Sequence, residues 1–106
     1  MRNQVVASGR LIENQPLRYT PAGIAVIEFK LEHESTQSEA GSERKVQCEI
    51  ACICLGKEAA KLAALKDGTG ITVKGFLAAR SQRWKHNLVL HIADWKLAPD
   101  AETPVI

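Results

Sequence analysis

No run of apolar residues in this 106-residue chain approaches the roughly 18 that a membrane span needs. The opening "MRNQVVASGR" lacks the long apolar stretch of a secretory signal, so a cytoplasmic protein without membrane contact is expected. Charge of one sign is scarce as well: 14 Lys and Arg against 12 Asp and Glu leave a net charge of +2. That balance excludes a polybasic, histone-like binder but permits a local basic patch. Cys48, Cys52 and Cys54 are an odd set spaced C-x3-C-x-C, which is not a C-x2-C zinc knuckle. In a reducing compartment no disulfide framework is expected. All three have even numbers on one apolar run, so in a strand they point the same way and read as small core residues.

Catalytic signatures are missing too. The chain has no P-loop, G-x-S-x-G, H-E-x-x-H or paired G-x-G-x-x-G. His33, His86 and His91 are scattered; His33 and His91 alternate with strand residues and suit hydrogen-bonded wall positions. The carboxylates Glu28, Glu32, Glu34, Glu39, Glu43 and Glu49 fall mostly on outward or loop positions and read as a solvated face. Nothing specific favours an enzyme, and no cofactor, metal ion or small-molecule substrate is expected.

What is present is alternation. "QVVASGRLI" (4–12) is β-prone, with Val5, Ala7, Gly9 and Leu11 on one face and a bend or bulge expected at Gly9. Pro16, Pro21 and Gly23 mark a loop. In "IAVIEFKLEH" (24–33), Ile27, Phe29 and Leu31 face in while Glu28, Lys30 and Glu32 face out. "ESTQSEAGSE" (34–43) is polar apart from Ala40 and reads as an exposed, mobile connection in a long hairpin. "RKVQCEIACICL" (44–55) is a third strand, with Val46, Cys48, Ile50 and Cys52 inward. Its end is apolar on both faces, so a cover is required. "GKEAAKLAALKDG" (56–68) supplies one as a helix with Ala59, Leu62 and Leu65 in a stripe and Gly68 as its stop. Strands follow at 70–78, with a kink at Gly75, and at 87–97, where Trp95 suits the core or wall. "APDAETPVI" is a polar tail.

The order β-β-β-α-β-β predicts an all-β fold: a five-stranded OB-fold barrel with one short helix between strands three and four. An α+β sandwich is the structural alternative. The domain is expected to span 1–98, leaving 99–106 as a flexible C-terminal tail.

Barrels of this type bind single strands on the outer face of strands two and three and with the one-two and four-five loops. Phosphates meet cations and bases stack on aromatic rings. The one-two loop carries Arg18 and Tyr19; Lys30 lies on strand two; Arg44 and Lys45 open strand three. The four-five loop, "ARSQRWKHN" (79–87), sets Trp84 among Arg80, Arg83 and Lys85. Trp84 has charged neighbours on both sides, poor company for burial, so it is expected at an exposed tip. Ordinary surface cations for solubility, or a ring folded back under an arginine, are the bland readings.

"PLRYTPAGI" (16–24), "FKLEHESTQSEAG" (29–41), "QCEI" (47–50), "GITVKGFL" (70–77) and "LVLHI" (88–92) together carry a resemblance. The chain resembles the primosomal replication protein N (PriB) family, small relatives of single-stranded DNA-binding protein. F-x-L-E-H-x-S-x-Q-x-E-A-G is the specific part; T-V-x-G-F occurs in many OB domains. The resemblance implies a non-enzymatic homodimer that binds single-stranded DNA, stabilises the complex of the PriA helicase with forked DNA, and leads to DnaT recruitment in replication restart. By position it implies DNA-facing roles for Arg18 and Arg44. Gln47 departs from the pattern, because the family can place a base-stacking tryptophan there, and Ser42 stands where an aromatic can occur. The four-five loop is about one residue shorter than in lysine-rich members. A general single-strand-coating protein is one alternative, although such chains normally continue into a long acidic-tipped segment. A protein-interaction OB module with little DNA binding is the other.

Overall fold

Burial follows the alternation along the second barrel strand. Ile27, Phe29 and Leu31 are buried, and the intervening Glu28, Lys30 and Glu32 take the opposite face. In the computed structural model, which describes residues 1–98, the elements are β1 (Val5–Ile12), β2 (Arg18–Tyr19), β3 (Ala25–Glu39), β4 (Ser42–Leu55), α1 (Lys57–Ala63), β5 (Gly70–Ala79) and β6 (Leu88–Leu97). The tail expected over 99–106 lies outside the described residues.

The strands run β1-β5-β6-β4-β3-β2, and an additional β1–β3 pairing closes five of them into a barrel. All ladders are antiparallel except β4–β6, where Ile53 stands beside His91. This is the OB barrel, and α1 sits between β4 and β5, its third and fourth strands. The short β2, paired with β3 through Arg18↔Val26 and Tyr19↔Ala25, was not anticipated.

Two glycines make the closure sterically possible. β1 pairs with β5 from Val5 to Arg10 and with β3 from Arg10 to Ile12. At Gly9, where β1 passes between partners, a Cβ would lie 2.3 Å from the Glu32 carbonyl oxygen. At Gly75 a Cβ would lie 1.8 Å from the His91 carbonyl oxygen, and the β5–β6 register shifts between Lys74 and Gly75. No other side chain fits such approaches.

The core joins Leu11, Ile27, Phe29, Leu31, Ile71, Val73, Leu90 and Ile92 to Ala59 and Leu62 of the helix. A seven-residue helix is too short to persist alone. Burial of Leu62, worth about 1.5–3 kcal/mol, holds it over the barrel end. Helix geometry stops at Ala63, short of Gly68. The Asn14 side-chain amide nitrogen faces the carbonyls of Leu62, Ala63 and Leu65 at 3.1–3.3 Å, giving the unpaired acceptors of the last turn a donor. Trp95 packs against the core and donates its indole N–H to Glu58 Oε1 at 3.0 Å.

The long hairpin expected here is present, but one part of that expectation is corrected. Residues 34–43 are not a mobile connection: β3 runs on to Glu39 and β4 begins at Ser42, pairing without interruption from Val26↔Leu55 to Glu39↔Ser42. Ala40 and Gly41, with φ of 52° and 80°, form a two-residue turn with both φ positive, the type that suits the twist of a hairpin. The outer part of this hairpin is an arm beyond the barrel. The strand reading of Cys48 changes with it: Cys48 is exposed, while Cys52 and Cys54 are buried. Its face is inward by register, but along the arm that face has no core beneath it.

Candidate nucleic-acid interface

Unbroken β3–β4 register fixes which side chains share the outer face. Glu28, Lys30 and Glu32 on β3 stand opposite Ile53, Ala51 and Glu49 on β4. Farther along the arm, Lys45 and Gln47 fall on this same face, opposite Thr36 and Glu34. Arg44 does not; it is one residue out of phase and pairs with Glu39 at 3.2 Å.

Arg18 and Arg80, from the two ends of the chain segment that builds this face, meet at one carboxylate. The Arg18 guanidinium donates to Glu28 Oε2, and Arg80 Nη1 donates to Glu28 Oε1 at 2.9 Å. These two arginines, Arg80 foremost, hold the Glu28 carboxyl below its ordinary range against a smaller opposing effect of burial. Glu28 is therefore ionised at neutral pH, and the triad carries one net positive charge.

Lys30 lies between Glu13 at 3.5 Å and Glu49 at 3.7 Å, so the centre of the face is balanced rather than basic. Gln47 donates its amide to Glu34 at 2.9 Å. Tyr19 on β2 is exposed. Among the described residues, Lys45, Arg83 and Lys85 have no ion-pair partner.

The loop between β5 and β6 is held by its own backbone. Arg80 N–H donates to the Asn87 carbonyl at 2.8 Å, Trp84 N–H to Ser81 at 3.3 Å, and Asn87 N–H to Trp84 at 3.0 Å. These turns leave Trp84 52% exposed. The Arg83 guanidinium carbon lies 5.4 Å from the ring centroid, and the His86 ring meets it edge-on at 6.1 Å. The indole is thus beside a cation and in solvent at once.

Sequence reasoning missed two features of this face. Glu28 was read as one more solvated carboxylate; its position on the strand bracketed by two arginine-bearing loops was the available signal. His91 and Phe76 form a stacked pair, 5.0 Å between centroids and 9° between planes, in the same cross-strand row as Glu28 and Ile53. Phe76 is outward by the same alternation that puts Ile71 and Val73 inside and Lys74 outside; the residue skipped at the register shift is Ala93, on β6. His33 is a wall residue: its ring nitrogens lie 2.6 Å from the Ser8 carbonyl oxygen and 2.8 Å from Ser35 Oγ. Among the described residues no cluster of His, Cys, Asp and Glu is placed to hold a metal, and no helix is long and apolar enough to cross a membrane.

An OB barrel whose outer face gathers two loop arginines, with an exposed indole in the loop that supplies one of them, is the architecture of a nucleic-acid-binding protein. Residues 3–94 match the model of a family described as another single-strand binding protein family. The replication restart protein PriB of Nitrosomonas europaea is 38% identical over 91% of this chain and 88% of its own. PriB from Ralstonia solanacearum, solved at 1.8 Å, superposes with a TM-score of 0.83 at 30% identity, over 93% of this chain and all of that one. The single-stranded DNA binding protein from Thermus aquaticus shares the fold, with a TM-score of 0.74 over 93% of this chain and 51% of that one at 24% identity. The chain belongs to the PriB family of single-strand binding proteins.

Proposed function

We propose that this protein binds single-stranded DNA across the outer face of β3 and β4 and acts, without catalysis of its own, in replication restart in the cytoplasm. In this reading it stabilises a complex of the PriA helicase with forked DNA and leads to recruitment of DnaT. The observation that carries the DNA-binding part is the convergence of Arg18 and Arg80 at the edge of the face, with Trp84 exposed beside Arg83. Lys30, Lys45, Arg83 and Lys85 supply further phosphate contacts along the path, Tyr19 and Trp84 supply stacking surfaces, and Gln47 supplies a polar contact where a stacker would bind harder. Arg44 reaches the backbone only of a strand that wraps the arm. Family membership supports the restart role.

The same reading includes a homodimer. Between Val5 and Gly9 one edge of β1 pairs with β5; on its other edge, among the described residues, only the Ser8 carbonyl is engaged, by His33. An open strand edge is a template for a second copy.

Titration of oligo-dT at several salt concentrations tests the DNA reading. Each phosphate contact contributes about −0.7 to the slope of log K against log salt. Trp84→Ala should weaken binding by roughly 1–3 kcal/mol with little change in slope. Binding indifferent to salt would favour the second reading, a protein-interaction module, which the carboxylates flanking Lys30 support. A titration of PriA on forked DNA with and without this protein tests the restart role.

A further inference from the structure

Among the described residues, Glu28 is the one carboxylate on the outer face that engages two candidate DNA-binding arginines at once. Its two oxygens are divided between them, Oε2 to Arg18 and Oε1 to Arg80. The depth order matters. The Glu28 side chain is 26% exposed, whereas those of Arg18 and Arg80 are 56% and 44% exposed. The anion lies beneath and the guanidinium groups lie above it, open to whatever crosses the face. An arginine fork accepts a carboxylate or a phosphate by the same hydrogen-bond geometry.

We propose that Glu28 is an internal stand-in for a DNA phosphate, holding Arg18 and Arg80 in the free protein and giving them up when a single strand binds. The proposal rests on the DNA-binding reading above. Partly exposed ion pairs are weak, so a phosphate can compete for these donors. The exchange has a signature. Arginines that move from a carboxylate to phosphates leave that carboxylate to collect a cation from solution, which cancels part of the counterion release that drives binding. Glu28 therefore lowers both the affinity and the salt slope of the site. It also sets a threshold: a ligand with too few phosphates to outbid the carboxylate leaves the two loops latched to β3.

The test is oligo-dT binding by wild type and Glu28→Gln over a salt series. The substitution should tighten binding several-fold at low salt and steepen the slope by about 0.7, the share of one charge. In an Arg18→Ala, Arg80→Ala background the same substitution should change neither quantity by as much. Glu28→Thr, also neutral and suited to a strand, repeats the measurement if Glu28→Gln misfolds. Wild type that binds with a salt slope beside a Glu28→Gln variant that binds equally or more weakly overturns this proposal and leaves the DNA reading standing. Wild type without salt-dependent binding overturns both.

Discussion

At the scale of single residues, environment rather than type decides what the three cysteines do. Cys48 is exposed on the arm, two residues' alternation away from where the core begins; Cys52 and Cys54 are inside it. Burial pushes the Cys52 thiol from an ordinary 9.0 up to about 12, and burial together with the Glu58 charge also raises Cys54. A raised thiol pKa means that the folded chain keeps a proton the unfolded chain has lost. Stability is accordingly full below about pH 9 and declines as pH rises toward 12, at up to about 1.4 kcal/mol per pH unit for such a group. Denaturant midpoints measured from pH 8 upward should show that decline, and Cys52→Ala should flatten it even though its stability at pH 8 is lower. An equal pH slope in the variant would assign the decline to other groups. The same-face placement of Cys52 and Cys54 was legible in the sequence from parity. The exposure of Cys48 was not, because parity gives the side of a strand and says nothing of how far the core extends beneath it.

At the scale of elements, the β3–β4 arm shows where periodicity stops informing. Alternation is readable where one face is buried, as along Ile27, Phe29 and Leu31. From Glu34 to Glu43 water lies on both faces, so nothing selects apolar residues at every second position, and a regular strand takes on the composition of a loop. The arm is kept regular by its ladder and by a turn whose first residue is unfavourable. Ala40 has φ 52°, a region that costs a residue with a Cβ about 1–2 kcal/mol, and Asn followed by Gly is the preferred pair for such a turn. Ala40→Asn should therefore slow amide exchange at Glu39 and Ser42 by a factor corresponding to up to about 1 kcal/mol, whereas Ala40→Val should speed it. Unchanged exchange in both variants would show that the ladder, not the turn, sets the stability of the arm. The helix was legible for the opposite reason: its Ala59 and Leu62 face a core and repeat at helical spacing.

At the scale of the whole molecule, the barrel order followed from the sequence of elements, but the edge it leaves open did not. β1 divides its pairing between β5 and β3 at Gly9 and Arg10, and that division exposes backbone along Val5–Gly9 while the barrel itself is closed. Val5 and Leu11 lie on one face of this strand and Val6 and Ile12 on the other, so both faces carry apolar side chains. Val6 is 63% exposed in the single chain, beside Lys74. A strand with an open edge and an exposed apolar face is a liability for a monomer and a ready seam for two copies. Symmetry then requires the seam to be self-complementary, with each β1 meeting the other about a two-fold axis. Sedimentation at micromolar concentration should give twice the 11.6 kDa chain mass. Val6→Lys would set like charges against each other and against Lys74, and should shift that equilibrium toward monomer while leaving the far-UV spectrum of the barrel intact. A wild-type chain that sediments only as a monomer would remove the seam from the account; a Val6→Lys dimer would move it elsewhere. With the seam at β1, the two Arg18–Glu28–Arg80 triads belong to one particle, and a single strand long enough to reach both should bind more tightly than one that spans only the first.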